Sequence, residues 1–174
     1  YCDVVLSKVS GTKWLSLDTY PILADKTLVK NFLFDIGALK TTALANDAHA
    51  HVILQSYGYV ENGNAAKERM PSEAELRMQA YTAMAFGIDS MSWFTYSPSG
   101  VGGNNKYITP VNNDGTIADQ TAYDAFQKVN AELNAIGSVY SAFDWKGVIL
   151  GAGTNNGSSL GSIVITEDPD YEAY

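Results

Sequence analysis

The chain has 174 residues, 46% of them hydrophobic, and carries a formal charge of -8 from 19 acidic against 11 basic residues. That length and content suit one folded domain with a real core, and an acidic balance without long runs of either sign disfavours nucleic acid and anionic membranes as partners. No apolar run reaches the roughly 18 residues of a bilayer-spanning helix, and one cysteine, Cys2, excludes an intrachain disulfide framework while leaving the compartment open, extracellular and periplasmic settings included.

The chain opens on Tyr1 without a leader and stops at Tyr174 inside a strand-like stretch, the pattern of a piece cut from a longer protein. Tyr1 to Val9 has the character of a helix's last turns, leaving through Ser10 and Gly11. Lys13 to Tyr20 alternates Trp14, Ser16, Asp18 and Tyr20 with Leu15, Leu17 and Thr19, which is strand periodicity, and Pro21 ends it. From Lys26 to about Ala45 the residues Leu28, Phe32, Ile36, Leu39 and Ala43 recur at helical steps. Gly37 inside that helix costs about 1 kcal/mol relative to alanine. His51 to Tyr57 is a short β-rich run, and Gly58 to Met70 is expected to be a polar loop.

Pro71 to Tyr96 organises the rest. Ser72 and Glu75 form a capping box, so a helix begins at Glu73. Leu76, Ala80, Ala83 and Met84 give it an apolar stripe of mostly small side chains suited to close packing on a sheet, and Gly87 stops it. Ser90 to Tyr96 then alternates as a strand. A long loop rich in Gly, Asn and Pro follows, and loops of that length in folded domains tend to be functional. Ala122, Phe126, Val129, Leu133 and Ile136 mark a further helix ending near Gly137, with a turn or two more through Phe143. Lys146 to Leu150 and Ser162 to Thr166 are expected as short strands.

Alternating strands and helices argue for parallel strands with right-handed crossovers. Three strands are too few for a sheet of ordinary size. The expectation is an α/β fold, a partial (β/α)₈ TIM barrel supplying the last three βα units over residues 1–144, with 145–174 opening a β-rich C-terminal domain.

In parallel α/β proteins ligands sit at the carboxyl ends of the strands. That rule selects Asp18 and Tyr20, Gln55 and Tyr57, and Phe94 and Tyr96 as one aromatic and polar set, the plain alternative being turn capping and core filling. Asp18 is the candidate catalytic residue: a strand-end carboxylate able to hold a sugar hydroxyl, tune a neighbouring acid or act as a base if burial raised its pKa. Acid–base glycoside hydrolysis wants a second carboxylate. Glu61 and Glu68 lie in the loop after the second strand and are placed to reach in, although surface solvation is the expected role of both, and Glu75 is committed to capping. His49-Ala50-His51 has metal-site spacing but starts its strand at the opposite end, so no metal and no cofactor is expected. Gly100-Val-Gly-Gly lacks the GK[ST] of a phosphate loop, Cys2 lacks a histidine neighbour, and Asn156-Gly-Ser is a glycosylation sequon only in a secreted eukaryotic protein. Eleven tyrosines and three tryptophans suit sugar binding, where flat rings pack on pyranose faces.

LSLDTYPIL, VILQSYG, RMPSEAELRMQAYTAMAFGIDSMSWFTY and VNAELNAIG together resemble the second half of a β-galactosidase-like (β/α)₈ glycoside hydrolase of an uncharacterised bacterial type. The resemblance covers most of residues 1–150 and is most specific in Asp-x-Tyr-Pro and in the Pro-x-x-x-Glu-x-Arg-x-Gln helix. It implies that 13–20, 51–57 and 90–96 are the sixth, seventh and eighth barrel strands. It also implies a nucleophilic glutamate where this chain has Gln55, which can neither ionise nor attack an anomeric carbon. The expected activity is hydrolysis of glycosidic bonds in oligo- or polysaccharides, the expected partner a carbohydrate bound by Asp18, Tyr20, Gln55, Tyr57, Phe94 and Tyr96. The alternative is a non-catalytic carbohydrate-binding protein, which Gln55 favours. A third reading is a small α/β domain complete in itself. The oligomeric state is open.

Overall fold

The computed structural model describes residues 2–25, 28–65, 67–98 and 104–148. In chain order the elements are α1 (Cys2–Leu6), β1 (Lys13–Thr19), α2 (Phe32–Ala45), β2 (Ala48–Gln55), β3 (Gly58–Glu61), β4 (Asn64–Ala65), α3 (Glu73–Ala85), β5 (Ser90–Phe94), β6 (Lys106–Ile108) and α4 (Gln120–Tyr140). Two sheets result: a parallel one in the order β1-β2-β5 and an antiparallel ribbon in the order β4-β3-β6.

The register of the parallel sheet, with Leu17 beside Val52 and Leu54 beside Trp93, gathers the apolar half of each alternation on one face. Leu15, Leu17, Ala50, Val52, Leu54, Met91 and Trp93 there meet Phe32, Ile36, Leu39 and Ala43 of α2 and Ala80 and Ala83 of α3. Burying side chains such as Ile36, Val52 and Leu54 contributes roughly 1.5–3 kcal/mol each, which makes this face the main source of stability. The capping box at Ser72 and Glu75 is formed, with Ser72 Oγ accepting from Glu75 N–H, and Gly87 leaves the helix at φ 72°. α4 lies on α3 through Leu76, Ala125, Phe126 and Val129, flanked by Arg77 bonded to Glu132 at 2.6 and 2.7 Å. On the other face Trp14, Ser16, Asp18 and His49 stay exposed.

The expected partial (β/α)₈ barrel is corrected. Among the described residues parallel pairing stops at three strands, and the sheet stays open along β1 and β5. Closure needs eight tilted parallel strands, whereas the other three strands described pair antiparallel in a ribbon of their own. Between β2 and α3 the chain makes a separate hairpin: Asn62 (φ 52°) and Gly63 (φ 79°) sit between β3 and β4, and positive φ at both central residues is the two-residue hairpin conformation. Gly58 to Met70, expected as a loop, therefore contains this hairpin, and the long loop after Tyr96 contributes β6, which pairs with β3.

Smaller differences are similar in kind. α2 starts at Phe32 because Leu28 is drawn into a bridge with Ile22, β2 starts at Ala48, and β5 ends at Phe94. α4 passes Gly137 without a break, since nothing there requires positive φ. Residues 145–148 of the expected β-rich unit carry no strand, and the rest of it, with Ser162–Thr166 and Asn156, lies outside the described residues, as does Gly100-Val-Gly-Gly.

Candidate functional site

The carboxyl ends of β1, β2 and β5 converge on a group of rings. Tyr20 follows β1, Tyr57 follows β2 and Phe94 ends β5, and their ring centroids are 5.2 Å (Tyr20–Tyr57), 5.8 Å (Tyr20–Phe94) and 5.7 Å (Tyr57–Phe94) apart. Tyr107 of β6 joins them at 5.0 Å from Tyr57 and 5.5 Å from Phe94, both edge to face, and Tyr59 of β3 extends the row at 5.1 Å from Tyr107. Such aromatic pairs contribute about 0.5–1.5 kcal/mol each beyond area burial, so the group holds a fixed shape. Tyr57 at its centre is 5% exposed, while Tyr20, Phe94, Tyr59 and Tyr107 are half-buried and form an open shelf.

Two carboxylates flank this shelf. Asp18 is exposed in β1, on the face of the sheet opposite α2 and α3. Burial pushes the Tyr20 phenol up to about 12, and the charge and hydrogen bond of the Asp18 carboxylate add to the push. Tyr57 is pushed up further, first by burial and next by the charge of Glu68. Glu68 is half-buried and fixed by its backbone, in a bridge with Leu23 and with its carbonyl accepting from Tyr59 N–H at 3.0 Å. Both tyrosines thus remain protonated donors at neutral pH, beside two carboxylate acceptors.

Gln55 lies beneath the shelf rather than on it. It is 0% exposed, and its Oε1 accepts from Ile22 N–H at 2.8 Å. Its Nε2 donates toward the carbonyls of Ile22 (3.1 Å), Tyr57 (3.1 Å) and Arg69 (3.0 Å), more acceptors than the amide has hydrogens. Nothing on this side chain is left for a ligand. It instead ties the Tyr20-Pro21-Ile22 turn and the Arg69 segment to the end of β2, which is what brings Tyr20 and Glu68 to Tyr57.

Tyr96 is elsewhere. It is 67% exposed, makes no ring contact with the shelf among the described residues, and faces α4 across a cleft shared with Trp93 and Phe126. Of the six residues expected to form one site, the structure therefore unites Asp18, Tyr20, Tyr57 and Phe94, sets Gln55 below them and separates Tyr96. It adds two more, Tyr107 and Glu68, the second of which the sequence had offered as a carboxylate able to reach in. Tyr107, which sequence reasoning missed, had a faint signal in the Lys-Tyr-Ile run inside the long loop, and Glu68 had its place in the loop that leaves the second strand.

The histidines lie at the other end of the sheet. His49 stacks on Trp14 at 4.7 Å and comes within 4.0 Å of Asp89, whose carboxylate also accepts from Lys40 at 3.2 Å, and His51 Nε2 is 3.2 Å from Ser92 Oγ. Among the described residues no three His, Cys, Asp or Glu side chains converge in a metal-binding group. No helix among them is long and apolar enough to cross a membrane.

No protein-family model, curated protein or solved structure is significantly similar to this chain.

Chemically, the shelf offers hydrophobic ring surface with protonated hydroxyl donors and two carboxylates at its margins. That combination suits a neutral molecule with both apolar faces and many hydroxyls. It does not suit an anion, which the carboxylates would repel.

Proposed function

We propose that the shelf holds the carbohydrate substrate of a glycoside hydrolase acting on oligo- or polysaccharides. The observation that carries this reading is the ring group of Tyr20, Tyr57, Phe94 and Tyr107, with the Asp18 carboxylate hydrogen-bonded to Tyr20 and both Asp18 and Glu68 near enough for their charges to act on Tyr57. Pyranose rings pack on the ring surface, while hydroxyls bond to the carboxylates and to the Tyr20 phenol. Acid–base cleavage of a glycosidic bond uses two carboxyl groups, one donating a proton to the leaving oxygen and the other acting on the opposite side, and Asp18 and Glu68 are the two this site offers. The sequence resemblance to β-galactosidase-like hydrolases supports the same reading.

The test is hydrolysis of aryl glycosides by the intact protein, with Asp18→Asn and Glu68→Gln compared with wild type. Loss of a catalytic carboxylate lowers kcat/KM by roughly 10²-fold or more. Full activity in both variants removes the pair from the mechanism.

A second reading, a carbohydrate-binding protein without hydrolysis, is favoured by Gln55. The resemblance asks for a glutamate there, and this amide is wholly engaged by backbone groups. Saturable oligosaccharide binding that Tyr20→Ala abolishes, without turnover of any glycoside, selects this reading.

A further inference from the structure

The ring group does not end with the parallel sheet. β3 starts directly after Tyr57 and carries Tyr59 and Glu61 two residues apart, so their side chains stand on one face of the antiparallel ribbon. Tyr107 of β6 is the direct partner of Tyr59 in the ribbon's register, which places it on that same face. The two rings meet, with centroids 5.1 Å apart. Lys106, the neighbour of Tyr107 in β6, alternates to the opposite face.

From Tyr20 through Phe94 and Tyr107 to Tyr59, successive ring centroids are 5.8, 5.5 and 5.1 Å apart. All four rings are half-buried and so keep surface for contact. Tyr57 beneath them is 5% exposed and meets Tyr20, Phe94 and Tyr107 edge to face at 82°, 90° and 87°, which fixes their places. The row has two halves. Tyr20 and Phe94 are tilted by 33° to one another and Tyr107 and Tyr59 by 45°, but Phe94 and Tyr107 stand at 86°, so the inner and outer pairs offer separate surfaces. One six-membered sugar ring matches one such pair in size and leaves the other bare. The steps along the row suit rings of that size joined through single bridging oxygens. Each half also has its own acceptor for hydroxyls: Asp18 beside Tyr20, and the exposed carboxylate of Glu61 beyond Tyr59.

We propose that Tyr59, Tyr107 and Glu61 form an outer subsite of the shelf, which holds a sugar unit linked to the one at Tyr20 and Asp18, so that the ligand is a chain of two or more neutral units. The proposal rests on the carbohydrate reading above. It adds the extent of the ligand, its charge and the residues that select it. Glu61 at the outer end, with Asp18 and Glu68 at the inner, repels a chain of uronic acids, and Lys106 on the far face does not offset this.

The experiment is calorimetric titration of the intact protein with gluco-, galacto-, manno- and xylo-oligosaccharides of one to four units, and with oligomers of galacturonic acid of the same lengths. In at least one neutral series the affinity is expected to rise roughly tenfold from one unit to two or three and then to level off, with the uronic acid oligomers weaker at every length. Tyr59→Ala is expected to lower the affinity of the chain roughly two- to tenfold and to leave that of the single sugar as it was. Glu61→Gln, at an exposed position where the exchange leaves the fold intact, is the second variant; it should weaken the neutral chain roughly twofold or more and narrow the gap to the uronic acid oligomers. Three results overturn the outer subsite: equal affinity for one unit and for four; a chain affinity unchanged in both Tyr59→Ala and Glu61→Gln; or an equal loss for the single sugar and the chain in both variants. The inner shelf is tested apart from it by Tyr20→Ala, which should weaken the single sugar and the chain alike. If Tyr20→Ala acts and the two ribbon variants do not, the outer subsite falls and the shelf stands; if no probe binds, both fall.

Discussion

The side chain of Gln79 closes a two-bond ring on the backbone of Gln55, its Oε1 accepting from Gln55 N–H at 2.9 Å and its Nε2 donating to Gln55 C=O at 3.1 Å. Both residues are 0% exposed. α3 thus holds the last residue of β2 by its peptide groups, and the Gln55 side chain in turn holds the Ile22 and Arg69 segments. Two buried amides, one above the other, join the helix layer to the loops that carry the candidate site.

Gln55→Glu should therefore be a damaging exchange, although it restores the glutamate that the sequence resemblance asks for. A carboxylate at this place faces the carbonyl oxygens of Ile22, Tyr57 and Arg69 with no hydrogen to give them. A buried charge without a partner costs about 3–5 kcal/mol. Burial raises the pKa of the new acid, so the loss is full at pH 7 and shrinks as pH falls through that raised value. Urea unfolding at pH 7 and at pH 5 measures this, and equal destabilisation at both would contradict the account.

Gly87→Ala is expected to destabilise by about 2 kcal/mol or more, on two grounds. The residue sits at φ 72°, in the left-handed region, and an added Cβ would run into the Trp145 ring, which is fixed by its Nε1–H bond of 2.8 Å to Ala85 C=O. Thermal melts of Gly87→Ala beside Gly137→Ala check the cause. Gly137 has open space around it and lies inside α4, so alanine there should stabilise by up to about 1 kcal/mol.

Acid should weaken the start of α3 in a window set by Glu75. The Arg69 guanidinium, hydrogen-bonded at 2.5 and 2.8 Å, holds the Glu75 carboxyl down to about 2, with the Ser72 backbone and hydroxyl helping. Because the folded value lies below the ordinary 4.5, the contribution is fully present above that pH and is lost as pH falls toward 2. For this partly exposed pair it amounts to about 1–2 kcal/mol. Glu75→Gln should flatten that part of the stability profile between pH 5 and pH 2, as read by denaturant midpoints.

Alkali should act on the shelf. Tyr20 titrates near 12 in the folded protein, raised by burial first and by Asp18 next, against an ordinary value of 10. The unfolded chain therefore releases this proton first, and the contribution is whole below pH 10 and declines as pH rises toward 12. Asp18→Asn removes the negative charge and should move the Tyr20 transition downward in an absorbance titration at alkaline pH. No movement would mean that Asp18 and Tyr20 do not act on one another.

How far the sequence led differs between fold and site. The helix from Glu73 with its capping box, the stop at Gly87 and the strands beginning at Lys13 and Ser90 were legible, since each depends on residues a few positions apart. The hairpin at Asn62-Gly63 was legible too, in turn chemistry that a reading of 58–70 as polar loop passed over. The open sheet was not, because the same alternation serves a strand at an edge and one inside a closed barrel.

By itself, then, the sequence determined the local elements and proposed Asp18, Tyr20, Tyr57 and Phe94 as neighbours, through the rule that parallel strands expose their carboxyl ends together. Only the tertiary structure decided that Gln55 is a buried tie, that Tyr107 and Glu68 complete the shelf, and that Tyr96 belongs to another cleft. The physical reason is that alternation assigns a side chain to a face only while the strand lasts. β2 stops at Gln55 and β5 at Phe94, and beyond those points the position of Tyr57 and Tyr96 depends on partners contributed by distant segments.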